Sequence, residues 1–119
     1  MDESVQKWDT PIRWIRYLAN PEIHFFEGRL HIVLEDLDTT EKWQLHVRGV
    51  VGYKFTQNFG MRWLANTSLV TESTWISALH REPMLMPGQL DGVRHYLIAT
   101  VEGDFEVLAK EEPVISKVE

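Results

Sequence analysis

A chain of 119 residues fits one domain that buries roughly two-thirds of the surface its unfolded form exposes, and 44% apolar residues with five Trp, five Phe and three Tyr exclude a disordered chain. The absence of cysteine excludes disulfides, thiolate metal sites and a Cys nucleophile. Eighteen acidic against twelve basic side chains give a net charge of −6, which repels phosphate backbones and anionic membranes and favours a basic partner.

The start, MDESVQKWDT, has no basic stretch followed by an apolar one, and nowhere do about 18 apolar residues run together. The expectation is a soluble, cytoplasmic chain with neither membrane nor nucleic acid as partner. Next, DTPIRWIRYLANP predicts a short amphipathic helix. Thr10 is its N-cap and Pro11 its first position, Ile12, Ile15 and Leu18 stand at helical spacing, and Asn20-Pro21 stops it. Ile12 and Trp14 also alternate with arginines, which leaves an extended segment open.

From Glu22 the period becomes two. EIHFFEGRLHIVLED breaks at Glu27-Gly28 into two runs that pair as a hairpin, with Ile23, Phe25, Leu30, Ile32 and Leu34 on one face and His24, His31 and Glu35 on the other. The polar turn DLDTTEK leads to a third strand in which Trp43, Leu45 and Val47 alternate with Gln44, His46 and Arg48. Gly49 and Gly52 mark a bulge or a close backbone approach, so the strand bends before Tyr53 and Phe55 continue it. Residues 57–70 carry mixed cues and stay unassigned. TESTWISALHRE predicts one short helix, capped by Ser73, with Trp75, Ile76 and Leu79 on one face, and PMLMPGQLDG is a loop.

The strongest hairpin signal is HYLIATV and FEVLA around Glu102-Gly103-Asp104. With Glu102-Gly103 as the loop, Tyr96, Ile98, Phe105, Val107 and Ala109 share a face; with Asp104 added, His95, Leu97, Ala99 and Val101 replace the first pair. Both faces are apolar, so this hairpin belongs at the centre of a sheet packed on both sides, and His95 reads as a hydrogen-bonded structural histidine. The expected fold is a single α+β domain over 1–119. It has a mainly antiparallel, partly rolled sheet of about five to seven strands with one or two short helices on one side.

No phosphate-binding glycine loop, His-Glu-x-x-His, nucleophile elbow or calcium loop occurs. Strand alternation puts His24, His31 and His46 on one face of three strands, where imidazoles could bind a metal or serve as acid and base; a half-exposed polar face is the plainer and favoured explanation. The acids Glu35, Asp36, Asp38 and Glu41 lack a calcium-loop pattern, so no metal, no cofactor and no catalytic residue is expected. Met84 and Met86 lie between two prolines in a loop that suits an adaptable contact or a flap on the sheet.

RHYLIATVEGDFEVLAKEEPV, with LHIVLEDLDTTEKWQLHV as a second stretch, resembles small bacterial immunity-type proteins found beside polymorphic toxins, in which an aromatic His-Tyr strand precedes a hairpin and ends in proline. Such proteins act by binding, so the resemblance implies no catalytic residue. Together with the charge, it leads to the expectation of a non-enzymatic immunity protein that neutralises a basic toxin through Asp36, Asp38, Glu41, Met84 and Met86. The alternatives are a small ligand-binding or hydrolase-like β-barrel using His24, His31 and His46, and a structural or assembly subunit.

Overall fold

The computed structural model describes residues 4–57, 64–82 and 88–119, and in them nine strands and one helix follow one another. They are β1 (Val5–Lys7), β2 (Leu18–Phe26), β3 (Arg29–Asp36), β4 (Lys42–Val47), β5 (Val50–Gln57), β6 (Asn66–Val70), α1 (Thr74–Leu79), β7 (Arg94–Ala99), β8 (Gly103–Ala109) and β9 (Val114–Lys117). All pairings are antiparallel. One sheet has the order β1-β6-β7-β8-β5 and the other β2-β3-β4-β9, and neither closes into a barrel. The domain is therefore sheet-dominated, two sheets in place of the single rolled one expected, with one six-residue helix among the described residues.

The β2–β3 hairpin forms where the alternation places it. Ile23 pairs with Ile32 and Phe25 with Leu30, and the corner has positive φ at both Glu27 (49°) and Gly28 (72°). That backbone follows the right-handed twist of the strands it joins, and glycine adopts it at no steric cost. Leu30, Ile32 and Leu34 of β3, with Leu45 and Val47 of β4, are at most 1% exposed. Across from them lie Tyr96 and Ile98 of β7 and Phe105, Val107 and Ala109 of β8, in one core shared by the sheets. Each large apolar side chain so buried contributes about 1.5–3 kcal/mol.

The predicted bent strand from Trp43 to Phe55 is two strands in different sheets. Gly49, at φ 63°, lets the chain leave β4 and enter β5, which pairs with β8 on the other side of the core. The bulge read from Gly52 is present between Val50 and Gly52. A Cβ on Gly52 would also stand 3.1 Å from Cζ2 of Trp75, so the helix side chain packs closely on this bare stretch of backbone.

The predicted N-terminal helix does not form. Residues 11–14 make a turn, Trp14 and Tyr17 have left-handed φ values of 73° and 55°, and Leu18 already belongs to β2. Tertiary pairing satisfies the backbone that a helix would have paired internally: Trp14 N–H donates to the Ala65 carbonyl and Ala65 N–H to the Ile15 carbonyl, both at 2.8 Å. Trp14 is 57% exposed and Ile12 fully buried, so the spacing of apolar residues here records burial in a turn.

The second helix forms as read, with the Ser73 hydroxyl accepting from Ile76 N–H at 3.0 Å. The hairpin β7–β8 is central, Tyr96 pairs with Val107 and Ile98 with Phe105, and the face they share is the one expected for a Glu102-Gly103 loop. Its corner is wider, closed by Thr100 N–H donating to the Gly103 carbonyl at 2.8 Å. A Cβ on Gly103 would collide with the Thr56 carbonyl oxygen and lie 2.7 Å from Phe55 Cζ, so this glycine is required by the close approach of β5. Among the described residues no helix is long and apolar enough to cross a membrane.

Candidate functional site

Alternation and register determine what the outer face of β2-β3-β4-β9 presents. His24, His31, His46 and Val114 are successive cross-strand partners, and Val33, Gln44 and Ser116 make the next row. On the other side of the histidines, Phe26 pairs with Arg29, and Arg48 follows Val47, whose partner is Leu30, so Phe26, Arg29 and Arg48 stand at one level. A cleft of about 640 Å³ runs over the histidine row and the Phe26–Arg29–Arg48 level, with Glu111 and Glu112 on its lining and Glu112 accepting from Trp8 Nε1 at 3.1 Å.

The structure brings the predicted histidines together in a stack. The rings of His31 and His46 are 4.2 Å apart and 13° from parallel, with His24 6.3 Å from His31. The Nε2 atoms of His31 and His46 lie 3.3 and 3.2 Å from one acceptor, Oε1 of Gln44, whose amide is oriented by donating from Nε2 to Ser116 Oγ at 3.3 Å. Burial first, then His31 and the Arg48 guanidinium, hold His46 below the ordinary histidine value, because each disfavours an added positive charge. Among the described residues no three His, Asp or Glu side chains converge on a point where a metal ion could sit.

The side of the molecule where β2 and β5 form the free edges is apolar. Ile23, Phe25 and Tyr53 are 36%, 45% and 37% exposed, and the rings of Phe25 and Tyr53 meet at 5.1 Å. Ile23 and Phe25 carry the phase of core residues and pair with the buried Ile32 and Leu30, yet on β2, the last strand of its sheet, they stay partly exposed. The exposed acids Glu22 and Glu27 bracket this edge.

A larger cleft, about 950 Å³, lies beside α1 and is lined by Ser73, Ile76, His80, Arg94 and His95 among others. At its floor the Ser73 hydroxyl donates to His95 Nδ1 at 2.7 Å, and His95 Nε2–H donates to the Glu106 carboxylate at 2.8 Å. The types are those of a nucleophile, base and orienting acid. However, Ser73 Oγ is already held by the Ile76 N–H as the helix cap, and the imidazole is 1% exposed beneath the edge of the Trp75 ring. The chain Glu106–His95–Ser73–Ile76 fastens α1 to β7 and β8, so His95 has the hydrogen-bonded structural surroundings expected of it.

In the acidic turn only Asp36 is turned inward. Asp36 is 8% exposed, and its carboxylate accepts from Asp38 N–H at 3.0 Å while its carbonyl accepts from Thr40 N–H at 2.8 Å. Glu41 pairs with Lys117 at 3.1 Å, and Asp38 is exposed. Met84 and Met86 lie outside the described residues. The apolar edge and the Arg29–Arg48 pair escaped the sequence reading, although FF beside a Glu-Gly corner signals an aromatic strand end and the register of three strands sets the arginines level. No family model, no curated protein and no solved structure matches the chain.

Proposed function

We propose that this protein is a non-enzymatic binding domain for another protein, and specifically an immunity protein that occludes a basic toxin. The apolar edge carries the reading: Ile23, Phe25 and Tyr53, on strands that end their sheets among the described residues, expose apolar surface of the kind that docking removes from water. Glu22 and Glu27 flank it, Asp38 and Glu41 stand at the β3–β4 turn of the same sheet, and the net charge of −6 attracts a basic surface over a distance of about 8–10 Å at physiological salt. The apolar contacts then govern dissociation and the acids govern encounter.

The test is kinetic, with the purified toxin-like product of an adjoining gene as the probe. Phe25→Asp should raise its dissociation rate about 30-fold, as loss of a contact worth about 2 kcal/mol requires. The pair Glu22→Lys and Glu27→Lys should slow association at low salt and leave dissociation nearly unchanged. Binding that ignores both variants, or a probe that does not bind, removes the reading.

A further inference from the structure

The cleft over the histidine row collects positive charge on an acidic chain. Arg29 and Arg48 are both exposed, stand level on neighbouring strands, and have no carboxylate within ion-pair distance among the described residues. One row along the strands, His31 and His46 line the same cleft, each with its Nε2–H donating to Gln44 Oε1 on the side away from the arginines. We propose that this cleft binds the dianionic phosphate group of a small ligand, with Arg29 and Arg48 taking its oxygens and the imidazoles of His31 and His46 lining the cleft one row away.

Guanidinium forks match phosphate oxygens in geometry as well as charge, and both arginines line this cleft at one level of the sheet. Solubility does not require this grouping on a chain whose net charge is −6. The groups facing the histidines are Arg29, Arg48, His24, Glu111 and Glu112. Glu112 is held by Trp8, and the two acids repel an anion from their wall, which directs it to the arginine end. Burial, the neighbouring His31 imidazole and Arg48 disfavour protonation of His46 in the free protein, and a bound dianion offsets the part due to charge. Anion binding and proton uptake are therefore coupled, so affinity rises as pH falls through the histidine range. Phe26, 73% exposed at the end of the arginine row, offers a flat face to a ring carried by the phosphate.

Histidine ring signals followed by NMR during titration test the site. Inorganic phosphate and adenosine 5′-monophosphate should each shift His31 and His46 saturably, and Arg29→Gln or Arg48→Gln, both exposed and neutral for folding, should weaken binding about tenfold. Sulfate, dianionic throughout, isolates the proton linkage: its affinity should rise about fivefold from about pH 7.5 to about pH 5.5. Tighter binding of the nucleotide assigns an ester as the ligand, and equal binding assigns free phosphate. Shifts that never saturate, binding that survives the double arginine variant, or a sulfate affinity independent of pH overturns the proposal.

Discussion

The outer faces of the two sheets use histidine in opposite ways. On the five-stranded sheet a helix covers the strands, and His95 is buried with both ring nitrogens hydrogen-bonded, one to Ser73 and one to Glu106. On the four-stranded sheet His31 is half-buried and His46 exposed along a cleft, and one ring nitrogen of each shares a single amide oxygen. Cover therefore decides the role: under α1 a histidine is a fastening, and in the open it is a group still able to change its partner or its charge.

The largest expected effect separates these roles directly. His95→Ala leaves the Ser73 hydroxyl and the Glu106 carboxylate without the imidazole and opens a cavity, so equilibrium urea unfolding should show a loss of about 3 kcal/mol. His31→Ala and His46→Ala should each stay within about 0.5 kcal/mol of the parent protein; equal losses at His95 and His46 would break the comparison. Somewhat smaller is the effect of taking away the cover itself. Trp75 lies edge-on to His95, presses on Gly52 and carries Lys54 4.7 Å above its ring, so Trp75→Ala should cost about 2 kcal/mol and speed hydrogen exchange in β7 and β8.

The smallest effect is one of pH. The folded protein holds His46 below its ordinary value, so the unfolded chain binds that proton more readily; stability is complete above about pH 6.5 and declines as pH falls below it. Thermal midpoints measured across this window should fall on the acid side, and His46→Gln should flatten the slope. A slope unchanged by that substitution would place the titration elsewhere.

Much of the sheet was legible because burial on one face imposes a period of two. The register of β2, β3 and β4 follows from Ile23 to Val47, and with it the level of His24, His31 and His46. The β7–β8 hairpin and the Ser73 cap were legible from local chemistry. What failed was non-local. β1 and β9 are three and four residues long with little buried surface, so they leave no pattern, and each exists by pairing with a strand distant in sequence. The turn at residues 11–14 imitates a helix because Ala65 supplies partners that no local rule predicts. The acids at the β3–β4 turn were legible as a cluster, but not that Asp36 would spend its carboxylate on the backbone of that turn.

The chain crosses between the sheets twice at one place. Gly49, on the way from β4 to β5, accepts from the N–H of Lys110, on the way from β8 to β9, at 3.0 Å, and a Cβ on Gly49 would stand 3.2 Å from the Lys110 Cβ. β9 must therefore wait for the last strand of the other sheet before it can complete its own, and β5 finds its partner only after β6 and β7 have been made. Neither sheet is an independent folding unit. Assembly has to proceed through contacts between ends far apart in sequence, which slows it relative to a domain built from local hairpins. The same interleaving leaves a ribosome-bound chain with neither sheet complete until β8 and β9 have been made, and it denies the molecule a stable half that could be cut away from the other.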